Sequence, residues 1–145
     1  MQGSQKGMTL VEVLVALVIL GVGLLGAAAF QLNALKYTDS ARMTSQASFI
    51  AYDMLDRIRA NAAADYTIAP PASGNPDVAR DQDLFDFNAN IVSSLGATAT
   101  GRVTVNQQLY TITINWDDSR AANTADSRRS FVLTSRTAVD PGATP

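Results

Sequence analysis

Side chains able to do chemistry are scarce in this sequence. Its 145 residues include no histidine and no cysteine. That removes the commonest general base, the usual metal ligand and all thiol and disulfide chemistry. Carboxylates remain. Asp81, Asp83 and Asp86 crowd one short segment, and Asp117, Asp118 and Asp126 another. A calcium site in the first group is conceivable, but the spacing is not that of an EF-hand loop. Aspartates in the first turns of a helix are accounted for more simply by the helix dipole. The second group lies in a polar stretch, where solvated charge is the ordinary state of an aspartate. No glycine-rich phosphate loop follows a strand, and Gly-x-Ser-x-Gly is absent. The sequence therefore reads as a non-enzyme, with no cofactor, no catalytic residue and no metal ligand. Net charge is −2, and Arg128-Arg129 is the only adjacent basic pair, so nucleic acid is not an expected partner.

One carboxylate stands apart. Glu12 heads a run from Val13 to Leu35 of 23 residues without a charge. As a helix that run spans roughly 35 Å, enough for a bilayer core of ~30 Å. Three readings compete. A cleaved secretory signal has a shorter apolar region and no acid at its start. A plain signal anchor fits Lys6 on the cytoplasmic side, weakened by Lys36 and Arg42 beyond the run. Neither explains Glu12. An acid in a membrane segment is costly and calls for a named partner. A cut between Gly7 and Met8 would create an α-amine one helical turn before Glu12, on the same chain or a neighbour.

Gly7-Met8-Thr9-Leu10-Val11-Glu12, continued by Val13-Leu14-Val15-Ala16-Leu17, resembles the class III prepilin signal of type IV pilins and pseudopilins. The resemblance implies cleavage after Gly7 by prepilin peptidase and N-methylation of Met8. It also implies that Glu12 pairs with the terminal amine of an adjacent subunit. The proline that kinks the helix of many major pilins is missing; the chain reads Ala27-Ala28-Ala29 there. Ala51 to Asn61 resembles the corresponding helix of one minor-pilin subfamily, the type IV pilus modification proteins. The partners implied are other minor pilins, the major pilin and a tip adhesin. The implied location is the inner membrane, N-terminus cytoplasmic and head periplasmic, and then the fibre or its tip. A minor pseudopilin of type II secretion shares the signal, and Met8 suits it. A membrane-anchored periplasmic binding domain that never polymerises is the alternative of another class.

The elements that would position these residues follow from periodicity. Gly21, Gly23 and Gly26 weaken the apolar helix. Glycine is common in membrane helices. Gly23 and Ala27 also form a small-xxx-small pair suited to close packing. The pilin resemblance implies local melting of the helix when subunits join a fibre. Beyond it the helical pattern continues without proline to about Ala64, with Met43, Ala47, Ile50, Met54 and Ile58 as a stripe widened by Leu55 and Ala62. Asp53 and Arg57, four apart, can pair on the solvent side. Pro70-Pro71, Gly74 and Pro76 mark a connector over 65–80. Asp81 to Leu95 reads as a short helix with Leu84, Phe85, Ile91, Val92 and Leu95 on one face, stopped by Gly96. Strands are predicted over 102–106, 109–116 and 130–139, with a turn at Asn106-Gln107-Gln108. In the second, Tyr110, Ile112, Ile114 and Trp116 alternate with polar residues; Phe131 and Leu133 point inward in the third. Residues 117–129 read as a long exposed loop. The expected architecture is α+β: a pilin fold with a helix spine over about 9–64, a short second helix, and three or four antiparallel strands on the spine's C-terminal half. The expected organisation is a leader over 1–7, an apolar helix half over 8–35, a head over 36–139 and a tail over 140–145.

Overall fold

The structure is a computed structural model that describes residues 7, 9–119 and 127–136. Its elements are α1 (Leu10–Ala60), α2 (Ala79–Leu95), β1 (Thr100–Asn106), β2 (Leu109–Asp117) and β3 (Arg128–Arg136). The strands form one antiparallel sheet in the order β1-β2-β3. This is the expected α+β, pilin-like fold, with three strands among the described residues. The chain divides into two compact units, Met1–Thr38 and Asp39–Pro145, with the division inside α1.

The core lies in the second unit. Met43, Ala47, Ile50, Met54, Leu55 and Ile58 of α1 are buried, as the stripe predicts, and Ala51 joins them. They share one cluster with Leu84, Phe87, Ile91 and Leu95 of α2 and with Val103, Tyr110, Ile112, Ile114 and Trp116 of the sheet. β2 is central and alternates buried with half-buried residues along its length. Val103, Ile112 and Leu133 stand in one row across the three strands. Phe131 and Leu133 on the edge strand β3 are partly covered. Gly101 is required by proximity: a β-carbon there would collide with Ile91 and Phe87 of α2.

The boundaries differ from expectation in ways the hydrogen bonds explain. α1 ends at Ala60 rather than Ala64 because the next bonds tighten: Asn61 N–H still reaches the Arg57 carbonyl at 3.1 Å, but Ala64 N–H bonds Asn61, only three residues back, at 3.0 Å. α2 starts at Ala79, two residues earlier than predicted, from a turn in which Val78 N–H bonds the Asn75 carbonyl at 3.1 Å. Its buried face uses Phe87, while Val92 stays 38% exposed. Gly96 closes it with φ 107° and an N–H bond to the Val92 carbonyl. The β1–β2 turn places Gln107 (φ 49°) and Gln108 (φ 69°) both in the left-handed region. That is the geometry of a two-residue type I′ hairpin, which favours asparagine and glycine. β3 begins at Arg128, so the expected loop over 117–129 is shorter than the spacing suggested; residues 120–126, and 137–139 of the predicted third strand, lie outside the described residues.

Candidate processing and assembly site

Thr9 sets the start of α1. Its carbonyl accepts the N–H groups of Glu12 at 3.0 Å and Val13 at 3.3 Å, and its hydroxyl accepts the Glu12 N–H at 3.4 Å. Thr9-x-x-Glu12 has the spacing of a capping box, with the acid at the third helical position, where the positive end of the helix favours it. Reasoning from the membrane cost of Glu12 misses this local role, although the Thr-x-x-Glu spacing signals it. Of the three predicted site residues, Gly7 and Glu12 are both exposed, and Met8 lies outside the described residues.

Behind Glu12 the helix has no covering partner among the described residues. Every residue from Leu10 to Thr38 is exposed, with Leu10 and Phe30 both at 76%. α1 is the one helix among the described residues long and apolar enough to cross a membrane. Gly21, Gly23 and Gly26 sit in unbroken α-helix, and a β-carbon on any of them would meet nothing. Packing among the described residues therefore gives no reason for glycine at those positions.

The segment Ala51–Asn61 contains a polar hub. Arg57 donates from Nε to Asp53 at 2.9 Å and from Nη1 to Asp83 at 2.8 Å and Asp86 at 3.4 Å. Tyr66 Oη donates to the other Asp83 oxygen at 2.7 Å. The predicted Asp53–Arg57 pair is present, but the guanidinium also joins α1 to α2. The bond to Asp83 raises the Arg57 pKa against the opposing effect of burial. Burial, and then the bond to Asp83, pushes the Tyr66 hydroxyl up to about 12. Asp83 and Asp86 thus face Arg57 and Tyr66 rather than free backbone N–H groups at the start of α2. Asp81 pairs with Arg80 at 2.8 Å, and no group of three acids among the described residues is placed to hold a metal.

Asp117 stays exposed, at the end of β2, whereas Asp118 departs from solvated loop. Asp118 is 3% exposed; it accepts the Ser40 hydroxyl at 2.6 Å and forms an ion pair with Arg129 Nε at 3.4 Å, tying α1 to the start of β3. Asp117 accepts the Ser127 hydroxyl at 2.6 Å and the Ser119 N–H at 2.9 Å, which hold its carboxyl below the usual range. Asp126 lies outside the described residues. Trp116 is 3% exposed, in the core, and its indole N–H has no acceptor among the described residues.

Residues 3–28 match the family model described as the prokaryotic N-terminal methylation motif. The chain carries a prepilin-type signal. That signal indicates a type IV pilin-like or pseudopilin-like protein, and it implies processing by prepilin peptidase and assembly with other pilins. The matched residues include Met8, the predicted methylation position, and the apolar start of α1, consistent with membrane anchoring. Neither the comparison with curated proteins nor that with solved structures gave a match.

Proposed function

We propose that the chain is a minor pilin of the type IV pilus, closest to the type IV pilus modification protein, PilV. In this reading prepilin peptidase removes residues 1–7 and methylates Met8. The protein waits in the inner membrane with its head in the periplasm. It then joins other minor pilins, the major pilin and a tip adhesin to prime fibre assembly, and so supports twitching motility and adhesion. The observation that carries it is the coincidence of the methylation motif over 3–28 with an apolar helix half that none of the described residues covers. Small residues such as Gly21, Gly23 and Gly26 permit close helix–helix approach, which this reading uses.

The role for Glu12 follows by charge. Once residues 1–7 are gone, an ammonium and a carboxylate lie one turn apart on every subunit. In a bundle of such helices each carboxylate can meet a neighbour's ammonium at only one axial offset. The pair thereby sets register in a medium where an unmatched charge is expensive.

Intact-mass measurement of the membrane-extracted protein tests the reading. Cells with active prepilin peptidase should yield a chain starting at Met8 and carrying one added methyl group. Retention of residues 1–7 with Met8 unmethylated would sink the proposal in favour of a plain anchored domain. Met8 also suits a minor pseudopilin of type II secretion. Deletion separates the two: lost pili and twitching support the pilin, lost exoprotein secretion with normal pili the pseudopilin.

A further inference from the structure

We propose that Thr9 is a positioning residue for removal of the leader: its cap fixes the start of α1 at Leu10 and so keeps the Gly7 carbonyl, the group to be attacked, out of the helix. The inference rests on the cut proposed between Gly7 and Met8. Hydrolysis there adds the hydroxyl of water to the Gly7 carbonyl carbon. The other proton of that water goes to the Met8 nitrogen, which leaves as the new amine. A peptide group locked in a helix cannot lie extended in a protease cleft. Where a segment opens and closes quickly, its cleavage tracks the population of the open form.

The hydrogen-bond ladder of α1 begins past the cut. The Thr9 carbonyl accepts two N–H groups, from Glu12 and Val13, and the Thr9 hydroxyl also accepts the Glu12 N–H. Gly7 lies outside α1 and is exposed, and its carbonyl accepts no backbone hydrogen bond among the described residues. In a helix one turn longer, the Val11 N–H would bond that carbonyl. Composition favours the longer helix unless something stops it. Gln5, Lys6 and Met8 are all good helix formers, and Ser4 is a second capping-type residue on the far side of the cut. With Ser4 as the cap, Gly7 would be the third helical residue and the bond to be cut would sit inside the first turns. Two residues oppose that shift. Gly7 resists a helical position by about 1 kcal/mol, and the Thr9 cap holds the start where it is by a similar amount, about 1 kcal/mol. One hydroxyl thus decides on which side of the helix boundary the cut falls.

The test is steady-state cleavage of the full-length chain in detergent micelles by purified prepilin peptidase, with the parent beside Thr9→Ser, Thr9→Asn and Thr9→Ala. Loss of a cap shifts the preferred helix start by a factor of about five. A substrate only partly in its competent form binds more weakly in proportion. Thr9→Ala should therefore raise KM about three- to fivefold and leave kcat unchanged. Serine and asparagine differ in shape but both cap, so those variants should keep the parent's KM. In the uncut chain, a carbon-13 label on the Gly7 carbonyl should move toward its helical position in Thr9→Ala alone. An unchanged or lower KM in Thr9→Ala, a fall in kcat instead, an asparagine variant as poor as the alanine one, or an unmoved carbonyl signal would each overturn the proposal. The asparagine result in particular would make Thr9 a side chain that the peptidase reads directly. A parent chain left uncut after Gly7 would end the processing reading itself, whereas any of the other results with the parent cut normally would end this inference alone.

Discussion

At the scale of residues, Tyr66 and Arg57 show how one carboxylate can serve two partners. Asp83 takes the Arg57 guanidinium on one oxygen and the Tyr66 hydroxyl on the other. Ionising Tyr66 would set a phenolate against that carboxylate in a buried position, which is why its pKa rises to about 12 from the usual 10. The sign follows. A raised pKa in the folded state adds stability that is fully present below about pH 10 and is lost as pH rises through about 12. Urea midpoints measured from neutral pH to pH 11 should therefore fall above pH 10, and fall less in Tyr66→Phe. At pH 7 the same variant should be about 1 kcal/mol less stable, for the lost hydrogen bond. None of this was legible in the sequence. Arg57 and Asp83 are 26 positions apart, on different helices, and only the local Asp53 pair has a spacing that announces itself. The same holds for Asp118: a polar stretch between strands gives no sign that Ser40, 78 residues earlier, will take its carboxylate into the interior.

At the scale of elements, periodicity was the reliable guide. The α1 stripe and the alternation of β2 each bury on one face, and repeating a spacing over several turns or residue pairs leaves little ambiguity. α2 is shorter, and one misjudged position rotates its face: Phe87 is buried and Phe85 only half-buried. Its start was misplaced because Val78 precedes it without a side-chain cap, so no capping residue marks the place. The β1–β2 turn was placed correctly by its position between two alternating runs, yet its composition argues against it. Two glutamines with positive φ cost about 1 kcal/mol each, a strain that the strands on either side sustain. Gln108→Gly should relieve much of it and raise stability by about 0.5–1 kcal/mol, whereas Gln108→Val should lower it. Thermal unfolding of the two variants beside the parent chain checks both signs.

At the scale of the whole molecule, the apolar half of α1 is surface without a partner among the described residues, and the acid at its head is the one charge between Gly7 and Lys36. The prepilin-type signal was legible because cut site, acid and apolar run coincide within a few residues. The Glu12 backbone N–H meets the Thr9 cap whatever the side chain, so Glu12→Gln keeps that bond and the capping-box spacing while losing the charge proposed for intersubunit pairing. The variant should insert, be cleaved and be methylated as the parent is, and yet be largely missing from sheared fibres. Incorporation at the parent level would remove charge pairing from the account of assembly. The head has a mechanical property of its own. Ser40 is bonded to Asp118 beside β2, and Arg59 donates to Ser135 of β3 at 3.1 Å. The two pins lie 19 residues apart on one helix, a span of about 28 Å, and between them runs the buried stripe. A slip of one helical turn would break both pins and misalign every buried side chain between them. Tension along this part of α1 would thus reach the sheet as shear shared between two distant fastenings, so that neither bears the load alone.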